Sequence, residues 1–183
     1  MRKESRAYGF VTRFLHWTMF IALSAQFVLG YAIDRFDDLL EIPVDRWLGG
    51  EEDNLLIFHA GLGVLILVLA AIRVVWRLRV GLPPWAETLS AVERRFAHST
   101  EVVLYALMFL IPITGLALLL LSGEDWDLLG GEWEAPLDMI DDDFLLGAHI
   151  TTHLLFFSAF AAHIGLIFKH QFVNRDGLLR RML

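Results

Sequence analysis

Residues 144–172 read FLLGAHITTHLLFFSAFAAHIGLIFKHQF, an apolar run with His149 and His163 fourteen positions apart. At roughly 100° per residue, fourteen steps return to within about 40° of the same helix face and climb about 21 Å. The hydrocarbon core of a bilayer is about 30 Å thick, so a helix of this length crosses it. One histidine then lies near each membrane face, and both point into the protein.

Three more runs of this kind precede it. The spans lie roughly at 13–33, 55–78, 96–121 and 144–172 of the 183 residues. The chain is 56% hydrophobic yet 20% charged, which requires the two classes to be segregated along it. The expectation is one domain over 1–183, an all-α, integral-membrane four-helix bundle. A soluble bundle would need neither runs of this length nor the charge sidedness below. With no cysteine, disulfides, thiolate metal sites and thiol catalysis drop out. The first run has His16 near its start and no small-residue cleavage site, so it reads as a retained span, not a signal peptide. There is no internal repeat.

Charge fixes the expected orientation. Thirteen of the fifteen Lys and Arg lie in the head, the connector around 79–95, the tail, or the adjoining span ends. Seventeen of the twenty-two acids lie in 34–54 and 122–143. The positive-inside rule puts both termini in the cytoplasm and the acidic loops outside. The lipid bilayer is the evident partner, and nothing here calls for nucleic acid.

With that orientation the histidines pair by depth. Spans two and four enter from outside, placing His59 and His149 near the outer face; His16 and His163 fall near the inner one. Neutral imidazole is a standard iron ligand, and ionisable groups in a bilayer are costly unless they serve a purpose. The expectation is two stacked b-type haems, each held by two histidines from different helices. Six-coordinate iron of this kind suits electron transfer, not oxygen binding. The bland alternative makes each histidine a satisfied intramembrane polar group or a quinone ligand.

Other residues share the spacing. Arg73 lies fourteen positions after His59, at the inner level, where a haem propionate would suit its guanidinium; Arg77 reads equally as snorkelling to headgroups. Gly30 lies fourteen positions after His16, and with Gly63 and Gly61 it would let a porphyrin approach, although glycines are also common at membrane helix contacts. His153, one turn from His149, is the alternative outer ligand. His98 and His170 read as interfacial and solvated, with quinone or proton roles as the alternative. Glu101 is a candidate proton group.

The order of these motifs resembles the bacterial cytochrome b561 family of small di-haem membrane cytochromes. The residues that carry the likeness are Phe14-Leu15-His16-Trp17, Ile57-Phe58-His59 with Gly61 and Gly63, Ile72-Arg73 with Trp76-Arg77, His98 with Tyr105, Pro112 to Gly115, His149, His163, and Asp176 to Arg180. The resemblance implies a multi-pass protein of the bacterial inner membrane, with two non-covalent b haems ligated as above. It implies electron transfer between a periplasmic redox partner and the quinone pool. Some members are similar to superoxide oxidases, which pass electrons from superoxide to ubiquinone, and related subunits serve hydrogenases and formate dehydrogenases. The acidic outer loops run against an anionic substrate and favour a cationic donor, such as a basic cytochrome or part of a larger complex. A basic pocket around Arg35 or Arg46 would offset that field. A haem-free metal or proton transporter is the reading from another class.

Overall fold

A computed structural model describes residues 7–34, 52–123, 125–128 and 131–183. The basic head up to Arg6, and Arg35 and Arg46 of the first acidic loop, lie outside the described residues. Four long helices carry the fold: α1 (Phe10–Asp34), α2 (Glu52–Val80), α3 (Ala91–Leu121) and α4 (Asp142–Phe168). All four contain stretches long and apolar enough to cross a membrane. Each extends beyond its expected span at one or both ends, because capping and charged residues continue the helix past the apolar core.

Those ends are specified locally. Ser90 and Glu93 form a reciprocal capping box at the start of α3, satisfying two backbone donors that the first turn would leave bare. Asp141 caps α4, and Asp142 and Asp143 follow in its first turn, where the helix dipole favours negative charge. Gly81 takes a left-handed φ of 72° after α2 and donates its N–H to the Arg77 carbonyl. That bond closes the helix before Pro83 and Pro84.

The acidic connection before α4 is not wholly irregular. Asp125–Leu128 (β1) and Gly131–Glu134 (β2) pair antiparallel, with Trp126 opposite Trp133, and β1 lies against α2. Helix-length reasoning had no means of finding so short a ribbon.

Consecutive helices pack side by side, as two hairpins, α1 with α2 and α3 with α4, joined through α2 and α3. Ring contacts close the bundle between α1 and α4: Phe20 stacks on Phe160 at 6.2 Å and Phe27 meets Phe157 at 4.6 Å. The buried core is thin: Met19, Leu23, Ile66, Ala70, Leu107, Met108, Ile111 and Phe156. Large apolar side chains face outward, with Leu78 79% and Leu154 68% exposed. In water such a surface would be an aggregation liability; against lipid it is the expected exterior.

After α4 the backbone tightens into a π-helical turn, Lys169–Asn174, and a 3-10 turn, Leu178–Arg181. The left-handed Arg175 (φ 51°) and Gly177 (φ 76°) turn the chain back. Tyr8 donates its backbone N–H to the Arg181 carbonyl at 3.0 Å. Trp17 donates its indole N–H to the Met182 carbonyl, and Arg181 reaches the Pro84 carbonyl at 2.7 Å. The two described chain ends and the basic connector therefore meet at one end of the bundle. The hairpin lies at the other.

Candidate functional site

Histidine rings from the two hairpins meet at two levels. At the tail end, His16 of α1 and His163 of α4 have ring centres 6.4 Å apart. At the hairpin end, His59 of α2 and His149 of α4 are 6.3 Å apart. The fourteen-residue climb along α4 separates the levels by about 21 Å.

Those two separations have a chemical meaning. A metal–imidazole bond is about 2.0–2.1 Å, and the ring centre lies about 1.15 Å behind the nitrogen, so two imidazoles on opposite sides of one metal have centres about 6.3–6.5 Å apart. Both pairs match that spacing.

Hydrogen bonds fix the ring protons at the hairpin end. Gln26, 5% exposed, donates both amide hydrogens to His59, to Nε2 at 3.2 Å and to its backbone carbonyl at 2.9 Å. The His59 proton therefore sits on Nδ1, which is buried with no partner among the described residues; the Nε2 lone pair accepts from Gln26, so metal binding there requires the amide to leave it. His149 Nδ1 lies 2.9 Å from the Thr114 hydroxyl; with that hydroxyl's proton on carbonyls of its own helix, Nδ1 donates to it and Nε2 accepts from His153 Nε2 at 3.2 Å. Both histidines thus hold the tautomer that binds iron through Nε2. Glycines admit the rings. A Cβ on Gly30 would stand 2.7 Å from His59 Cε1, and one on Gly115 would stand 3.0 Å from His149 Cε1.

Around this pair lies a cavity of about 430 Å³, lined by apolar side chains together with Gln26, Gly30, Gly63, Gly115 and His153. It is of the size ligands and cofactors occupy. Gln26 Oε1 and His153 Nδ1 are buried there with no partner among the described residues. The ring spacing, the tautomers and the lined space fit a flat iron-centred group at this level. His153 packs edge-on to Phe27 and Tyr31, and the ring across from His59 is that of His149. Gly63 touches Gln26, whereas Gly61 has open space and lines a separate groove with Leu29 and Phe58.

The tail-end pair has a cationic setting. Arg73 donates from Nη2 to His16 Nδ1 at 3.1 Å and from Nε to the Tyr105 hydroxyl at 3.1 Å. A donor on Nδ1 puts the His16 proton on Nε2, so metal binding there requires Arg73 to leave the ring. An anionic group beside His16 would draw it away. Arg77, read from sequence as equally a snorkelling residue, instead forms a two-point ion pair with Glu101 and lies over the Tyr105 ring. That pairing occupies the carboxylate read as a candidate proton group.

His98 is exposed, as an interfacial histidine should be, but His170 is not solvated. It is fully buried, with Nδ1 at 2.5 Å from Asp176 and Nε2 at 3.4 Å from Glu93. Burial alone would raise the Asp176 carboxyl, but hydrogen bonds from His170, Thr88 and the Leu178 N–H outweigh it and hold its pKa below the ordinary value. The reversal of the chain after Arg175 brings Asp176 onto His170, which no local pattern reveals.

Three residues of the hairpin-end site had no role assigned from sequence: Gln26, Thr114 and Gly115. Their signals were a lone amide in an apolar run and the Pro112 to Gly115 motif. Only the fold puts them against His59 and His149.

The family described as prokaryotic cytochrome b561 matches residues 7–183. Cytochrome b561 homolog 2 of Escherichia coli (strain K12) is 25% identical over 180 residues, 96% of this chain and 90% of that protein. A Yersinia pestis protein named probable superoxide oxidase CybB is 29% identical over 129 residues, 68% of this chain and 72% of its own length. Cytochrome b561 homolog 1 of Escherichia coli (strain K12) is 26% identical over 128 residues. With four membrane-crossing helices and a match over nearly its whole length, the chain belongs to the prokaryotic cytochrome b561 family, inner-membrane electron-transfer proteins that work with b-type haem.

Proposed function

We propose that this protein carries electrons across the membrane between a periplasmic redox partner and the quinone pool, through two b haems. His59 and His149 hold the outer one and His16 and His163 the inner one, with the tail end in the cytoplasm. The observation that carries the reading is the pair of ring separations, 6.3 and 6.4 Å, at two depths of the same bundle. Bound haem supplies reversible one-electron chemistry at iron, while the protein sets its potential through ligands, hydrogen bonds and burial. Thr114 would hold the His149 ring, and Gln26 the His59 backbone carbonyl, its bond to Nε2 opening when that nitrogen binds iron. Gly30 and Gly63 keep the space beside the rings clear. Arg73, now on His16, would be placed to meet a haem propionate, and the apolar bundle would exclude water from both levels. His149 rather than His153 is the outer ligand, because its ring stands across from His59 and its Nδ1 proton has an acceptor.

The donor is the open chemistry. Superoxide is one reading, favoured by the relative named probable superoxide oxidase. Against it, the outer loops carry seventeen acids and only Arg35 and Arg46, a field that repels an anion and attracts a cation. We favour a cationic donor, a basic cytochrome or a larger complex. Stopped-flow reduction of the purified protein, by superoxide and separately by a reduced basic cytochrome, separates them. A cytochrome rate that falls steeply as salt rises supports our reading. Fast reduction by superoxide alone moves the protein to the oxidase reading. Colourless protein would instead favour the haem-free transporter.

A further inference from the structure

We infer that Thr114 is the positioning residue of the outer site: its hydroxyl fixes the tautomer and aim of the His149 ring. The inference rests on His149 being an iron ligand. Thr114 follows Pro112, the proline inside α3, and precedes Gly115, which makes room for the ring. The Pro112–Gly115 stretch of the continuous α3 helix is thus the cradle of a side chain on α4.

The bonding is directional. A hydroxyl has one proton and accepts at its lone pairs. Thr114 Oγ1 is 2.9 Å from both the Leu110 and Ile111 carbonyls, which only accept, so its proton is committed to them. With the proton turned to those carbonyls its lone pairs face His149, and the atom that donates to them is Nδ1 at 2.9 Å. A proton held on Nδ1 leaves the Nε2 lone pair for the metal. Such an acceptor also makes the imidazole a stronger donor to iron, which stabilises the oxidised state. The Ile111 carbonyl stands by the same ring as a second acceptor, but it is shared with Thr114 and moves only with the backbone. Among the described residues, two of the other three paired histidines lack this arrangement: His59 Nδ1 has no partner, and His16 Nδ1 faces a cation.

The test compares Thr114→Val, which keeps the shape and removes the hydroxyl, with Thr114→Ser, which keeps the hydroxyl. The readouts are haem transfer from the detergent-purified holoprotein to excess apomyoglobin and the potential of each haem. Loss of an outer partner of this kind typically weakens metal binding 10–100-fold; with Ile111 still present we expect about tenfold faster loss of one haem in T114V. That haem should also become easier to reduce, the other should be unchanged, and T114S should stay close to the parent. Histidine 15N spectra of the reduced, diamagnetic parent should show His149 protonated at Nδ1. Parent-like haem loss and potentials in T114V would overturn the inference. So would a T114S variant as impaired as T114V, which would assign the effect to the methyl group. Should T114V fail to fold, the parent spectrum decides, and an unprotonated Nδ1 refutes the role. A parent that binds no haem refutes the proposed function instead, while the His149 tautomer in that haem-free protein still reads the Thr114 contact.

Discussion

Replacing Gly30 by alanine should cost the bundle at most a modest part of its stability and yet empty its outer site. The added Cβ would sit 2.7 Å from His59 Cε1 and 3.1 Å from Nδ1. Carbon atoms pack best at about 3.5–4.0 Å, so the ring must retreat by about 0.8 Å. Alanine is worth about 0.5–1 kcal/mol over glycine within a helix, and overpacking costs about 1–3 kcal/mol. The net change in stability therefore lies between about zero and 2.5 kcal/mol. A ligand, however, must be held within about 0.5 Å of its working position. Pyridine haemochrome analysis per chain should fall from two haems toward one in G30A. Gly115→Ala, with a 3.0 Å approach to His149 Cε1, needs a shift of only about 0.5 Å and should weaken the same haem less. Gly147→Ala meets nothing within 4 Å and should keep both. A G30A protein with two haems per chain and an unshifted spectrum would refute this reasoning.

Other expectations follow from the same geometry. His163→Ala should remove the inner haem and spare the outer one; retention of both, read by haem content, would break the pairing. Arg73→Gln should lower the inner haem's potential in a redox titration. A charge about 7 Å from the iron at an effective dielectric near 20 is worth about 2.4 kcal/mol, so the shift should reach at most about 100 mV. Asp176→Asn should loosen the tail and lower the melting temperature at pH 7. Because the folded Asp176 has its pKa depressed, its contribution is complete above the unfolded value of about 3.9 and fades as pH falls through the lower folded value. The difference between D176N and the parent should therefore vanish in acid.

The spans and their alternation were legible because lipid imposes long apolar runs and one-sided charge, both visible in a linear string. The depth pairing was legible because a helix climbs at a fixed rate: His149 and His163 sit at two levels of α4, with His59 and His16 beside them. Contacts that depend on which helix faces which were not legible. Gly30 sits at the expected level, but what presses on it is the ring of His59. Thr114 and His149 are 35 positions apart, and nothing in the α3 motif names its partner. His170 looked interfacial because its own neighbours are polar. Two left-handed residues downstream, Arg175 and Gly177, reverse the chain and bury it against Asp176. Arg77 and Glu101 looked like two separate features until α2 and α3 packed them into one ion pair.

The central claim is that each histidine pair holds one haem. Haem content per chain of the detergent-purified protein, with a reduced-minus-oxidised spectrum, tests it most directly. The account predicts two b-type haems per chain, both low-spin in either redox state. One haem per chain, a high-spin signal from a missing axial ligand, or none at all would contradict it.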